Sequence, residues 1–330
     1  MVTSKFGCIL ERVMRPLVQT RYLLIGSAFF TAILVMVGFG CSPKSDALLP
    51  PPTTDNSDQI VGDEQSYNEF LDISYTQIPG VSTNLTSLDI YTPQIGQNHP
   101  IIIYIHGGSW VTGDKSNVDN KPQAFTDAGY LFVSINYRLS PAVKHPSHVQ
   151  DIAKAIAWVY QNATLYDGDA SKLTLVGHSA GAHLAALIAT NEQYLQTEGL
   201  DLNVIDSVVL LDGIGYDLLR LIESIDFTSF PIYTIPFGSD SVMWADASPI
   251  KHVSSNKGIP AFLLIYVEGS TSTQLDAQLF ADKLIEAGVQ ATMVAASGVT
   301  HSTLNENLGL PQDDITDQVM KFILDKNNAG

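Results

Sequence analysis

Apolar, strand-like runs alternate with longer amphipathic stretches along this chain. Eight of the apolar runs predict β-strands, near residues 71–78, 85–91, 100–105, 130–136, 172–176, 206–211, 261–267 and 290–296. Longer stretches predict helices near 119–128, 147–161, 180–190, 274–287 and 314–326. From the third strand onward the two kinds of element alternate, which is typical of an α/β fold with a mostly parallel sheet.

One junction between a predicted strand and a predicted helix carries candidate chemistry. The pentapeptide GHSAG at 177–181 follows the apolar run at 172–176 and precedes an alanine-rich helical run at 182–189. A sharp turn of this kind holds its central residue in a strained conformation, which is tolerated when glycines lie two residues to either side. The pattern predicts that Ser179 is a nucleophile at the tip of the turn.

A second glycine-containing turn lies upstream of the serine. The buried strand predicted at 100–105 runs directly into His106, Gly107 and Gly108. Because the two glycines carry no side chain, we expect their backbone N–H groups to bind a developing oxyanion, together with the N–H of Ala180. We expect His106 to hold this loop by packing or hydrogen bonding and to take no direct part in the chemistry.

The general base is expected after the last predicted strand. A short loop beyond 290–296 contains His301, and a serine at a strand-turn-helix junction is followed along the chain first by an acid and then by a histidine. His178 and His183 lie five residues apart, but we interpret them as packing in and behind the turn. We predict neither a metal site nor a cofactor.

These residues and motifs make the chain similar to α/β-hydrolases of the esterase/lipase type with a His-Gly-Gly oxyanion loop, including hormone-sensitive-lipase-like carboxylesterases and kynurenine-formamidase-like enzymes. The resemblance covers about residues 70–325 and extends to scaffold matches such as the LDG tripeptide at 211–213. It implies a mostly parallel eight-stranded sheet with helices on both faces. It also implies a Ser-acid-His site that cleaves carboxylic esters through an acyl-enzyme.

The acid that orients His301 departs from the family pattern. The resemblance places it shortly after the seventh strand, at 261–267, where Glu268 is the nearest carboxylate and is our prediction. Asp276 is the alternative, although we expect it to begin the following helix, where the helix dipole favours an acid regardless of function. Asp212, after the sixth strand, is the next candidate.

In residues 213–249 the hydrophobic positions follow no regular period, and aromatic side chains are frequent. Their position after the sixth strand favours a small cap over the active site, with aromatic residues lining an acyl or aryl pocket. The alternative is a peripheral helix packed on the core.

The N-terminal residues 1–41 resemble a bacterial lipoprotein signal. Four basic residues precede a charge-free run at 22–39, and Gly40 and Cys41 follow it. The alternative is an uncleaved signal-anchor, because these 18 apolar residues are just long enough to span a bilayer. With its three consecutive prolines, 42–62 is interpreted as a flexible tether, and 63–330 as the hydrolase domain. We therefore expect a membrane-tethered or secreted protein on the extracytoplasmic side of the cell envelope.

Composition narrows the chemistry further. The only cysteines, Cys8 and Cys41, lie in the leader, which excludes thiol catalysis and cysteine-ligated zinc from the predicted domain. The net charge of −17 argues against nucleic acid as a partner, because neutralising phosphates requires basic patches. Three hypotheses remain: a carboxylesterase acting on a small-molecule ester, an arylformamidase, and a tethered, non-catalytic binding protein on the same scaffold.

Overall fold

The computed structural model describes residues 66–225 and 230–328, so the predicted leader and tether lie outside the described residues. Within the described part, eight strands form one sheet in the order β1-β2-β4-β3-β5-β6-β7-β8. The strands are β1 Tyr67–Ser74, β2 Ser87–Pro93, β3 His99–Ile105, β4 Leu131–Ile135, β5 Gly168–His178, β6 Ser207–Leu211, β7 Ala261–Val267 and β8 Ala291–Ala296. Strand β2 is antiparallel to β1 and β4, and all other neighbours are parallel. The predicted mostly parallel sheet is confirmed.

Helices cover both faces of the sheet. They are α1 Lys121–Asp127, α2 Ser147–Asn162, α3 Ala180–Thr190, α4 Gln193–Gln196, α5 Leu218–Ser224, α6 Phe230–Phe237, α7 Ser241–Asp246, α8 Pro249–His252, α9 Thr271–Glu286, α10 His301–Asn307 and α11 Asp314–Asn327. Residues of α2, α3 and α9 join the apolar core on one face, and residues of α1, α10 and α11 join the core on the other. The central strands are buried on both sides, which explains why they form continuous apolar runs in the sequence.

Several predicted boundaries differ from the observed ones by a few residues, and two of these differences have local reasons. Strand β1 begins at Tyr67 instead of residue 71, and its register shifts between Phe70 and Ile73, where Asp72 has a φ of 58°. Helix α9 begins at Thr271, so Asp276 lies in its second turn and does not begin the helix as we expected.

Asp276 anchors the segment predicted to form a cap. Its side chain is 1% exposed, and one oxygen accepts hydrogen bonds from the N–H groups of Gly215 (2.7 Å) and Tyr216 (2.8 Å). The other oxygen pairs with Arg220 of α5 at 2.8 Å. The alternative placement of Asp276 as the acid beside His301 is therefore wrong, because its oxygens hold the start of this segment.

Residues 213–249 contain helices α5, α6 and α7 and the first residue of α8. On the inner side of α6, Tyr233 and Phe237 are buried, and both approach the Trp110 ring, at centroid distances of 6.1 and 4.8 Å. Trp110 follows the predicted oxyanion loop by two residues, so this segment packs next to that loop.

Across residues 66–225 and 230–328, every helix is too short or too polar to cross a bilayer.

Candidate active site

Ser179 occupies the turn between β5 and α3. Its φ of 55° and ψ of −118° lie in a region that residues other than glycine rarely adopt. Its N–H donates to the carbonyl of Leu211 on β6 (2.9 Å), and its carbonyl accepts from the N–H of His183 (3.1 Å). The residue is half-buried at the tip of the turn, where the sequence predicted it.

The glycines on either side of the turn explain its conformation. A Cβ on Gly177 would collide with the backbone of Gly181, and a Cβ on Gly181 would collide with the carbonyl of Ile105 on β3. The start of α3 therefore lies so close to two strands that no side chain fits at either position. The chain can turn in this space only if Ser179 adopts the strained conformation.

The expected oxyanion loop lies beside the serine. A Cβ built on Gly107 would be 3.1 Å from the Cβ of Ser179, and Gly108 has a φ of 111° with no room for a side chain. Ala180 is the first residue of α3, and the first N–H groups of a helix lack partners within it. Backbone donors from both sides are thus available to an anion near Ser179.

His106 holds this loop, as the sequence indicated. Its ring stacks on Tyr137 at a centroid distance of 4.5 Å, and its Nδ1 donates to the carbonyl of Gly107 (2.7 Å). The Tyr137 hydroxyl donates to the carbonyl of His106 (3.0 Å). Burial lowers the pKa of His106, so the ring is neutral at physiological pH and serves as a structural support.

His301 is hydrogen-bonded to a buried carboxylate. It is the first residue of α10, its side chain is 49% exposed, and its Nδ1 donates to Oδ2 of Asp212 at 2.6 Å. Asp212 directly follows β6, with a φ of 43° and a side chain that is 3% exposed. The other carboxylate oxygen accepts the N–H of Val267 (3.1 Å).

These hydrogen bonds keep Asp212 ionised. Burial by itself would raise the pKa of the carboxyl, but the bonds from His301 and the N–H of Val267 outweigh burial and lower it. A carboxylate on Nδ1 fixes the tautomer of His301 and leaves Nε2 free to take a proton.

The prediction that Glu268 orients His301 is wrong. Glu268 is exposed just after β7, and its N–H donates to the carbonyl of Ala296, whereas the Nδ1 bond of His301 goes to Asp212. The reason is strand order, because β6 lies between β5 and β7 and its carboxyl end is the neighbour of the serine turn. In the sequence Asp212 directly follows a buried strand, but so does Glu268, so this signal named both candidates without ranking them.

His178 and His183 have separate roles. The Nε2 of His178 donates to the carbonyl of His301 (3.0 Å), and the two rings lie 4.6 Å apart. The Nε2 of His183 donates to the carbonyl of Ala247 (2.8 Å), which ties α3 to the end of α7. Burial and then the charge of His301 lower the pKa of His178 to about 4, so His178 is a neutral donor at physiological pH.

The site therefore brings a serine, a histidine and an aspartate to the carboxyl end of one sheet. Ser179 follows β5, Asp212 follows β6 and His301 lies beyond β8. A hydroxyl, an imidazole and a buried carboxylate, next to the backbone N–H groups of a helix start, are the components of acyl transfer by a serine nucleophile.

Comparisons with known proteins agree with this geometry. A family model described as BD-FAE matches residues 88–276, which is more than half of the chain. Esterase LipQ of Mycobacterium tuberculosis is 39% identical over 153 residues, covering 43% of this chain and 34% of the relative. Kynurenine formamidase of Meyerozyma guilliermondii is 36% identical over 162 residues, covering 46% of this chain and 55% of the relative. The chain thus spans between about one third and about half of the length of these two proteins.

Solved structures show the same fold. A truncated form of a carbohydrate esterase from gut microbiota matches with a TM-score of 0.67 and 22% identity, covering 80% of this chain and 98% of that chain. At this level of identity, the similarity establishes the shared α/β-hydrolase architecture.

The low pKa of His178 predicts a pH dependence of stability. In the unfolded chain a histidine takes a proton near its ordinary pKa of about 6.5, whereas the folded protein protonates His178 only near pH 4. Stability is therefore lost as the pH falls from about 6.5 to about 4, by about 3 kcal/mol at this residue. We expect the free energy of unfolding in urea of the wild type to fall relative to that of His178→Gln over this interval. An equal difference between the two proteins at both ends of the interval would contradict a buried, neutral His178.

Proposed function

We propose that this chain, which belongs to the BD-FAE family, is a serine hydrolase that cleaves carboxylic esters through an acyl-enzyme intermediate. The observation that carries the proposal is the 2.6 Å hydrogen bond between His301 and the buried Asp212. It lies at the carboxyl end of the sheet, where Ser179 also lies. Relatives named as esterases support the reaction class.

In the first half of the reaction, Nε2 of His301 takes the proton of the Ser179 hydroxyl, and Oγ attacks the ester carbonyl. The negative charge that forms on the carbonyl oxygen is bound by the N–H groups of Gly107, Gly108 and Ala180. Asp212 stabilises the imidazolium that His301 becomes, and His301 then gives the proton to the leaving alcohol. Water, activated by His301 in the same way, releases the acid from Ser179.

We propose that residues 213–249, which pack next to the oxyanion loop, set the size of the acyl group. Trp110 is 2% exposed, and Phe237 and His183 pack against it edge-on, at centroid distances of 4.8 and 5.3 Å. A buried aromatic cluster of this kind leaves little room beside the loop, which favours short acyl groups. We therefore propose small carboxylic esters as substrates.

Arylformamide hydrolysis is the second candidate, because a kynurenine formamidase is among the relatives. The same residues would act, with His301 protonating an amine instead of an alcohol. A panel of p-nitrophenyl esters of increasing chain length, run beside N-formyl-arylamines, separates the two by their kcat/KM values.

We also propose that the N-terminal residues tether the enzyme to a membrane of the cell envelope. The basic residues, the apolar run at 22–39 and Cys41 support a lipoprotein signal, and a helical anchor is the alternative. In both cases the domain would act on substrates at the extracytoplasmic side.

The first test is the nucleophile. Ser179→Ala is expected to abolish both ester hydrolysis and labelling by a fluorophosphonate probe with no change in circular dichroism, because a half-buried hydroxyl contributes little packing. Wild-type protein that resists the probe would favour the non-catalytic binding protein, and residual hydrolysis by the variant would move the nucleophile elsewhere.

The second test ranks the three carboxylates. Asp212→Asn should lower kcat by about ten-thousand-fold, because the amide holds His301 in the wrong tautomer. Glu268→Gln, the matched control on the neighbouring strand, should stay within about twofold of wild type, as expected of an exposed side chain. Asp276→Asn should cost about 2–3 kcal/mol of stability through its broken contact with Arg220 but leave kcat per folded molecule nearly unchanged. A larger loss of kcat in Glu268→Gln than in Asp212→Asn would contradict the assignment.

The third test concerns the tether. If Cys41 is lipidated, the full-length protein should partition into detergent and incorporate labelled palmitate, because two or more acyl chains anchor a protein stably. Cys41→Ala should then accumulate as an unprocessed, unlabelled precursor. Membrane association without label in the wild type would favour the helical anchor.

A further inference from the structure

A buried lysine outside the proposed catalytic site contacts the helix that carries His301. Lys121, the first residue of α1, is fully buried, and its Nζ donates to the carbonyl of Asn305 on α10 at 2.8 Å. Asp119, its partner in an ion pair at 3.4 Å, is itself 42% exposed. Burying an ammonium is costly unless it is well compensated, so the position calls for a function.

The side chain of Asn305 is also held by a hydrogen bond. The hydroxyl of Tyr104 on β3 donates to Oδ1 of Asn305 (2.7 Å), and Nζ of Lys121 lies 5.2 Å from the centre of the Tyr104 ring. Backbone and side chain of Asn305 are thus both fixed by buried groups of the sheet and of α1. A cation at the carboxyl end of a helix also interacts favourably with the helix dipole.

Asn305 lies one helical turn beyond His301, since residues four apart stack along a helix. The other end of α10 is held by His178, whose Nε2 donates to the carbonyl of His301. The short helix is therefore held at both ends, and these contacts fix the backbone from which the His301 ring reaches Asp212.

We propose that Lys121 is a positioning residue for His301, acting through Asn305 together with Tyr104. The inference rests on the proposed function, because it assigns to α10 the task of holding the general base in place. Displacing a catalytic group by about 1 Å costs on the order of a hundredfold in rate, so a contact outside the reacting atoms can control turnover.

Lys121→Met, which removes the ammonium and keeps an unbranched apolar side chain one atom shorter, should lower kcat for p-nitrophenyl acetate by about 10- to 100-fold while KM changes by less than about twofold. Lys115→Met is the matched control. Lys115 is also buried and paired with carboxylates, those of Asp72 and Asp89, but it has no hydrogen bond to α10. With rates expressed per folded molecule, the control should stay within about twofold of wild type.

Tyr104→Phe provides a second route to the same answer, because it removes one hydroxyl and keeps the ring. We expect kcat to fall several-fold, and the effects of Tyr104→Phe and Lys121→Met to be less than multiplicative, since both act through Asn305. Equal kcat in wild type and Lys121→Met, or equal losses in Lys121→Met and Lys115→Met, would overturn the proposal. If Lys121→Met does not fold, an unchanged kcat in Tyr104→Phe would overturn it.

A measurement that does not depend on catalysis distinguishes this inference from the proposed function. The proton between Nδ1 of His301 and Asp212 should give a downfield resonance in the proton NMR spectrum. That resonance should weaken or shift in Lys121→Met and persist in Lys115→Met. Wild-type protein that shows this resonance but neither hydrolyses esters nor reacts with a fluorophosphonate would contradict the proposed function alone. An unchanged resonance in Lys121→Met would contradict the positioning role.

Discussion

The geometry of the site depends on how closely the start of α3 approaches the central strands. At Gly177 and Gly181 a single Cβ would collide with backbone atoms of the facing element, so the chain leaves β5 and enters the helix within one residue. Ser179 absorbs the whole change of direction, with a φ of 55°. A strained residue of this kind persists only when its surroundings over-determine it. Here the surroundings are the packed backbones of β3, β5 and α3, which also bring Gly107 next to the serine.

Asp212 is fixed to Ser179 by the same sheet. The N–H of Ser179 donates to the carbonyl of Leu211, and Asp212 is the next residue along the chain. Its own N–H donates to the carbonyl of Ile265 on β7 (2.7 Å). Ser179 and Asp212 are therefore both held by backbone hydrogen bonds within one sheet. Because Asp212, after β6, already accepts the hydrogen bond from Nδ1 of His301, an aspartate is not needed in the loop after β7.

Much of the fold followed from periodicity, whereas the acid did not. The buried runs at 100–105 and 261–267 were predicted within one residue of β3 and β7, because a strand covered on both faces has a distinct local pattern. The partner of His301 depends on which strand ends are neighbours in space, and local pattern carries no such information. Glu268 and Asp212 each follow an apolar run in the sequence, and only the sheet order distinguishes them. Likewise, nothing in the sequence near Lys121 separates a buried ammonium from an ordinary surface lysine.

His301 is the member of the site whose position is least determined by the sheet. It follows β8, the strand at the sheet edge, by a short loop, and 49% of its side chain is exposed. Its bond to Asp212 sets the orientation of the ring, but the position of the backbone beneath it depends on the seven residues of α10. A helix of that length is not stable by itself in water. A capping box of Thr300 and Thr303 closes its first turn, and the buried contacts of His178 at its first residue and of Lys121 and Tyr104 one turn later hold it to the rest of the protein. Rigidity in this site therefore comes from backbone pairing for the serine and the aspartate, and from buried side chains for the histidine.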